Sequence, residues 1–292
     1  MLNSKTEALG IIFPNSYDAM VPDLVSERLM ASIPFASRYR MCDFILSSMV
    51  HSGIDNISII VRKNYHSLLD HLGAGREWDL VRKNGGLNIV PPFAQKQVKV
   101  FEGRIEALES LRGYLLKQPQ KYVIMTDANI AINFDFNELL DAHIKSGADV
   151  TMMYRKQEIP KAFIRQSRDR MDLYYALGMN GDRVSKIYIN PTEEGEMNFS
   201  MNVYVVEREF LIRMIDDAYV HGHTYFVRDL LDKQIDRLDI RGFCYDGYVV
   251  NIHDTQSYFE ENMRLLQEEN LNALFSPCLL YTSDAADEAR SV

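Results

Sequence analysis

Short apolar, β-branched runs alternate with stretches of helical spacing through the first half of this 292-residue chain, and few folds accept that alternation. Ala8–Phe13, Asn56–Val61, Tyr122–Thr126 and Asp149–Tyr154 predict strands bounded by polar or glycine residues. Between them, Cys42–Ser52 puts Phe44, Ile45, Met49 and Val50 at helical spacing and stops at Gly53, a natural helix end. Gly103–Gln118 repeats the pattern with Ile105, Leu108, Leu111 and Leu115. Phe136–Ser146 predicts a third helix, closing on Gly147 with Lys145 in its last turn, where a cation suits the helix dipole. The succession predicts an α/β fold with a doubly wound, mostly parallel sheet whose ligands lie beyond the carboxyl ends of the strands. Further runs at Leu173–Met179, Val184–Ile189 and Met201–Val206 make the second half richer in strands, so the sheet is expected to be mixed.

Composition narrows the partners. With 47% hydrophobic and 25% charged residues the chain can bury a full core. Its 32 basic against 41 acidic residues leave a net charge of −9, against the clustered basic excess that nucleic-acid binding needs. No apolar run reaches the roughly 18 residues of a membrane span, and the N-terminus lacks a signal peptide's layout. The expectation is a cytoplasmic protein with a small-molecule or protein partner, without nucleic acid and without a membrane. Cys42, Cys244 and Cys278 form no CxxC pair, so neither a disulfide framework nor a zinc site is expected. His51, His66, His71 and His143 sit singly on helical stretches without ligand spacing, and Asp43 reads as the residue that starts or caps its helix. A last helix is expected over Tyr258–Glu269. Residues 1–276 read as one domain; 277–292 lose the amphipathic pattern and read as a foreign or disordered tail.

Several blocks in fixed order carry a family resemblance over about residues 8–276. They are Arg38-Tyr-Arg-Met-Cys-Asp43-Phe, His51-Ser-Gly53-Ile, His71-Leu-Gly73-Ala-Gly75-Arg-Glu-Trp78-Asp79-Leu, Gly85-Gly86-Leu-Asn-Ile-Val-Pro-Pro, Gly147-Ala-Asp149-Val-Thr and Ser257-Tyr-Phe-Glu-Glu-Asn-Met. Together they resemble ADP-glucose pyrophosphorylase (glucose-1-phosphate adenylyltransferase), and most closely its non-catalytic, GlgD-type subunit. The resemblance implies a nucleotide-sugar transferase sheet of Rossmann-like, GT-A-like type. It also implies a C-terminal left-handed β-helix domain, expected to be absent from this chain. The family reaction joins ATP and glucose 1-phosphate into ADP-glucose and pyrophosphate; the sugar phosphate is already a nucleophile, so the protein supplies positioning, positive charge and magnesium.

Measured against that chemistry, four segments depart together. The loop Phe13–Glu27 has no glycine with which to cradle a triphosphate and carries Asp18, Asp23 and Glu27, expected to repel phosphate. Met30-Ala31 stands where the family has Lys-Pro. Of the two magnesium-holding aspartates, Asp127 matches the first while Asn251 takes the place of the second; Asp254 lies nearby in sequence. Ile189-Asn190-Pro191 replaces a Glu-Lys-Pro sugar-binding segment, leaving Gly178, Asn190 and Ser200 as its remnants. Gly103 and Arg104 are the remnant of a nucleotide-contacting Gly-Thr-Ala-Asp-Ala. The resemblance thus implies a regulatory subunit of bacterial glycogen biosynthesis with no confident catalytic residue of its own. It would act in a hetero-oligomer with a catalytic subunit, and would need magnesium only if active. A second reading is an active transferase in which Asp127 and Asp254 hold magnesium and Arg28, Arg38, Arg40 or Arg104 replaces the lost cations. A third is a stand-alone sugar-phosphate or nucleotide sensor. Asp127 could equally end a strand and shape a turn, and Trp78 could stack on adenine or sit in the core.

Overall fold

The computed structural model describes residues 7–83, 85–91, 101, 103–166, 173–193 and 195–276. The expected tail 277–292 lies outside them. In chain order the elements are β1 (Ala8–Phe13), the short pair β2 (Pro34–Phe35) and β3 (Tyr39–Arg40), α1 (Met41–His51), β4 (Asn56–Ile60), α2 (His66–Leu72) and β5 (Gly86–Val90). There follow α3 (Arg104–Leu115), β6 (Tyr122–Asp127), β7 (Ile130–Ile132), α4 (Phe136–Ser146), β8 (Val150–Glu158) and α5 (Lys161–Gln166). The chain continues with β9 (Tyr175–Asn180), β10 (Arg183–Ile189), β11 (Glu196–Glu207), α6 (Arg208–Val220), β12 (Ile240–Cys244), β13 (Val249–Asn251), α7 (Thr255–Arg264) and α8 (Glu268–Phe275).

Nine strands form the central sheet in the order β5-β4-β1-β6-β11-β8-β12-β10-β9. Strands β5, β4, β1 and β6 run parallel. The run ends at β11, which is antiparallel to both β6 and β8. The far side stays largely antiparallel, because β9 and β10 are joined by only Gly181 and Asp182, and a two-residue connection can pair strands only antiparallel. β9 also meets β11 through Ala176 and Phe199, so this end of the sheet curls back on itself. The sheet is therefore mixed; parallel pairing dominates only in its first half.

Helices cover both faces, which is why β1 is apolar along its whole length instead of alternating. Leu9 and Ile11 point to one side, with Val123 and Met125, and pack on Ile105, Leu108 and Leu111 of α3 and Leu211 and Ile215 of α6. Ile12, Ile57 and Ile124 point to the other, against Ile45, Leu46 and Met49 of α1 and Phe136, Leu139 and Leu140 of α4. Helix α4 begins as its sequence asks, with the Asp135 carboxylate accepting from the Asn137 N–H, and ends on Gly147 at φ 67, the left-handed region. The helix expected over Tyr258–Glu269 is instead two: α7, capped by Asp254, stops at Arg264, and α8 starts at Glu268. Among the described residues no helix is long and apolar enough to cross a membrane.

Candidate functional site

Strands β1 and β6 are neighbours in register, so that Phe13 lies beside Asp127 where both strands end. From β1 the chain order runs outward through β4 and β5 on one side and through β6 on the other. Their carboxyl ends therefore flank a topological switch point, where an α/β sheet leaves a crevice. A cavity of about 130 Å³ opens there, with the first turn of α3 on its wall and Tyr225, Phe226 and Val227 across it. Tyr225 precedes, and Phe226 and Val227 open, a six-residue π-helix, Phe226–Leu231, a form that recurs at functional sites. Asp229 fastens this wall: its carboxylate accepts from the Thr224 and Tyr225 N–H groups and pairs with Arg228. Burial alone would raise that carboxyl, but the bonds from Arg228 and the backbone outweigh it and hold it well below the usual range.

Asp127 forms the floor and is fully buried. Its Oδ1 accepts from Ser16 Oγ at 2.7 Å and from Arg104 Nη2 at 2.5 Å. Its Oδ2 is buried with no hydrogen-bond partner among the described residues. Arg104 is the first residue of α3, and its guanidinium lies 4.5 Å from the centre of the Phe13 ring and 5.6 Å from that of Tyr204. Burial works against its charge, yet Asp127 and the surrounding tyrosines more than offset this and hold the guanidinium above its ordinary value. Burial likewise pushes the Tyr204 phenol up to about 12, with Arg104 pulling the other way.

Opposite them, the glycine-free loop is built into the protein. Tyr17 and Asn202 both take left-handed backbone, at φ 64 and φ 55, and both line the cavity. The Asn202 side-chain amide donates to the Tyr17 hydroxyl at 2.7 Å, and that hydroxyl donates to the Leu173 carbonyl. Two non-glycine residues at positive φ, bonded to each other at a cavity wall, are strain of the kind that surrounding structure must hold in place. Asp18, expected to repel phosphate, turns inward instead: its carboxylate accepts from Asn15 Nδ2 at 2.8 Å and from the Met30 N–H at 2.7 Å. It staples the loop to the segment that carries Met30 and Ala31, both fully buried, where a lysine would have no water.

Of the other residues singled out by sequence, Gly103 joins Arg104 and Asp127 at the cavity and Gly178, Asn190, Ser200 and Asn251 do not. Gly103 precedes α3 with the Thr224 carbonyl so close that no Cβ fits between them. Asn251 closes β13 and accepts from the side chain of Asn129 at 3.2 Å, while Asp254 is occupied capping α7. Asn190, at φ 48, bonds the backbone of Tyr174 in a turn; the Ser200 hydroxyl accepts from the Asn202 N–H; Gly178 sits mid-strand in β9. Trp78 is buried and donates to Ser47 Oγ, which settles its place in the core. His71 is single in sequence but not in space: its Nε2 lies 2.6 Å from Asp43 Oδ1, which Cys42 Sγ also reaches. The other Asp43 oxygen accepts from the Arg40 N–H at the start of α1, and burial pushes the Cys42 thiol up toward its neutral form. That group braces α1 against α2. Sequence reading missed Arg62 and Tyr225, which carry no local signal, Ser16, which lies within the singled-out loop Phe13–Glu27 without being named, and Asn202, two residues after Ser200.

A crevice at the switch point of an α/β sheet, walled by aromatic rings, a helix start and arginines, lies where sheets of this kind place their ligand sites. The nucleotidyl transferase family model matches residues 23–268, and the chain belongs to that family. It is similar to the glycogen biosynthesis protein GlgD of Geobacillus stearothermophilus, 36% identical over 166 residues, covering 56% of this chain and 48% of that protein. The GlgD protein of Bacillus subtilis (strain 168) is 27% identical over 274 residues, covering 93% of this chain and 67% of that protein. The glucose-1-phosphate adenylyltransferase of Geobacillus stearothermophilus is 26% identical over 279 residues, covering 93% of this chain and 69% of that enzyme. The chain thus spans about half to two thirds of the length of these relatives.

Proposed function

We propose that this chain is a regulatory, catalytically deficient subunit of a bacterial glucose-1-phosphate adenylyltransferase, built on the Rossmann-like, GT-A-like scaffold and acting in glycogen biosynthesis beside a catalytic subunit in the cytoplasm. The similarity to two GlgD proteins supports the pathway. One observation carries the deficiency: the cavity's buried carboxylate, Asp127, is already neutralised by the chain's own Arg104 at 2.5 Å. The reaction moves a phosphate oxygen of glucose 1-phosphate onto the α-phosphorus of ATP, with the bond to pyrophosphate breaking, and every stage gathers negative charge that must be met by cations. Here one of the cavity's two arginines, Arg104, the one beside the buried carboxylate, is spent on an internal acid. The loop that would wrap the triphosphate offers the Tyr17 ring and an inward-stapled Asp18 in place of free backbone N–H groups.

Pyrophosphate release with ATP, glucose 1-phosphate and magnesium tests the reading. The chain alone should give no turnover above background, and Asp127→Asn should change nothing. Mixed with a catalytic subunit, the chain should co-purify with it and shift its response to substrate or effector. Turnover at the level of a catalytic subunit, abolished by Asp127→Asn, would overturn the proposal.

A further inference from the structure

Arg104 stands where a cation is ordinarily unwelcome. It opens α3, whose N-terminal end carries a partial positive charge, so both the dipole and burial oppose the guanidinium. Two things hold it: the Phe13 and Tyr204 rings, whose centres lie 4.5 and 5.6 Å from its guanidinium carbon, and the Asp127 carboxylate. The pairing leaves Asp127 half satisfied. Ser16 and Arg104 both bond Oδ1, while Oδ2, equally buried, has no partner among the described residues. A buried carboxylate normally fills both oxygens, and an orphaned one is open to a water or an ion.

A divalent cation does not fit this site while Arg104 is in it. Magnesium demands hard oxygen ligands in near-octahedral array and is held by carboxylates. Asp127 is the cavity's one carboxylate among its lining residues, and a second full positive charge already sits within hydrogen-bonding distance of it. In a buried site the repulsion between that guanidinium and an incoming dication is weakly screened. Asn15 Oδ1 accepts from the Arg62 N–H and Asn202 Oδ1 from the Tyr204 hydroxyl, so without the guanidinium Asp127 would be the protein's own ligand and water would fill the rest of the shell, as magnesium allows with a single carboxylate.

We propose that Arg104 is a tethered substitute for a divalent cation, and that removing its charge turns Asp127 into a cation site that the present protein lacks. The inference rests on the functional reading above, but it concerns binding, so its test reads metal and not turnover. The probe is Mn²⁺, titrated against the purified full chain and followed by the loss of the free-ion electron paramagnetic resonance signal. The starting protein should show no saturable site that depends on Asp127. Arg104→Met, which keeps an unbranched side chain and removes the charge, should gain one at least ~10-fold tighter than any residual binding, a difference of about 1.4 kcal/mol. Arg104→Lys should gain nothing, and adding Asp127→Asn to Arg104→Met should erase the gain. Arg104→Thr is the second neutral variant should Met fail to fold. Folded neutral variants that bind Mn²⁺ no better than the starting protein would overturn the proposal, as would an equal gain in Arg104→Lys. So would Mn²⁺ binding to the starting protein that Asp127→Asn removes, an arm that needs no Arg104 variant to fold. Pyrophosphate turnover by the unmodified chain would defeat the functional reading instead and leave the Mn²⁺ result to stand or fall by itself.

Discussion

His143 is buried on α4, its Nδ1 2.8 Å from Thr151 Oγ1 and its ring edge-on to Tyr122. Burial pulls its pKa down to about 4, so the folded protein holds it neutral where the unfolded chain would take up a proton. The unfolded state therefore binds more protons between about pH 6.5 and 4, and stability present above that window is lost as the pH falls through it. From pH 7 to 4.5 this one residue should cost about 2 kcal/mol, measured as the change in urea-unfolding free energy. His143→Gln, which cannot charge, should show a loss smaller by that amount; an unchanged pH slope would mean that His143 is protonated in the fold. Single residues were also where sequence reading stopped short. Asp127 and Arg104 were both legible as candidates, one at a strand end and one at a helix start. Their ion pair was not, because residues 23 apart meet only once β6 and α3 are placed side by side.

Elements whose determinants are local could be read directly. Phe136–Ser146 carries its own cap, apolar stripe and terminal glycine, and the helix has those bounds. β12 and β5 escaped notice because each draws its strand character from neighbours distant in sequence, β8 and β4. The junction before α3 is a similar case, since Gly103 looks like a remnant of a ligand-binding motif and is also a packing requirement. With the Thr224 carbonyl against its Cα, and the Ile105 N–H donating to that same carbonyl, this glycine couples the start of α3 to the wall that carries Tyr225 and Phe226. Gly103→Ala should push the two apart and destabilise by about 1–3 kcal/mol, seen as a lower urea midpoint with an unchanged slope. Arg104 would move with the helix start. An unaltered midpoint would show that the 224–226 segment yields freely and contributes little to the cavity's shape.

At the scale of the molecule, the question is whether the parallel and antiparallel halves of the sheet are one cooperative body. Sequence suggested the mixed character but could not show what joins the halves. The joint is β11, whose Tyr204–Glu207 pair with β6 while Glu196–Val206 pair with β8, one strand belonging to both ladders. The two helical layers add to this, since the core on the α3 and α6 side runs from Leu9 in β1 to Ile240 in β12 without a break between the halves. Breaking β11 away from β6 would expose that core on both sides, so partial unfolding along this line is costly. The single tryptophan offers a test, because Trp78 is buried on the opposite face in the parallel half, while the far-UV circular dichroism signal averages the whole fold. Trp78 fluorescence and circular dichroism should give coincident urea transitions with one midpoint. A tryptophan transition that precedes or follows the loss of secondary structure would mean that β11 is a seam rather than a joint, and that the cavity, lined from both halves by Phe13 and Asp127 on one side and Tyr175 and Asn202 on the other, comes apart when the first half opens.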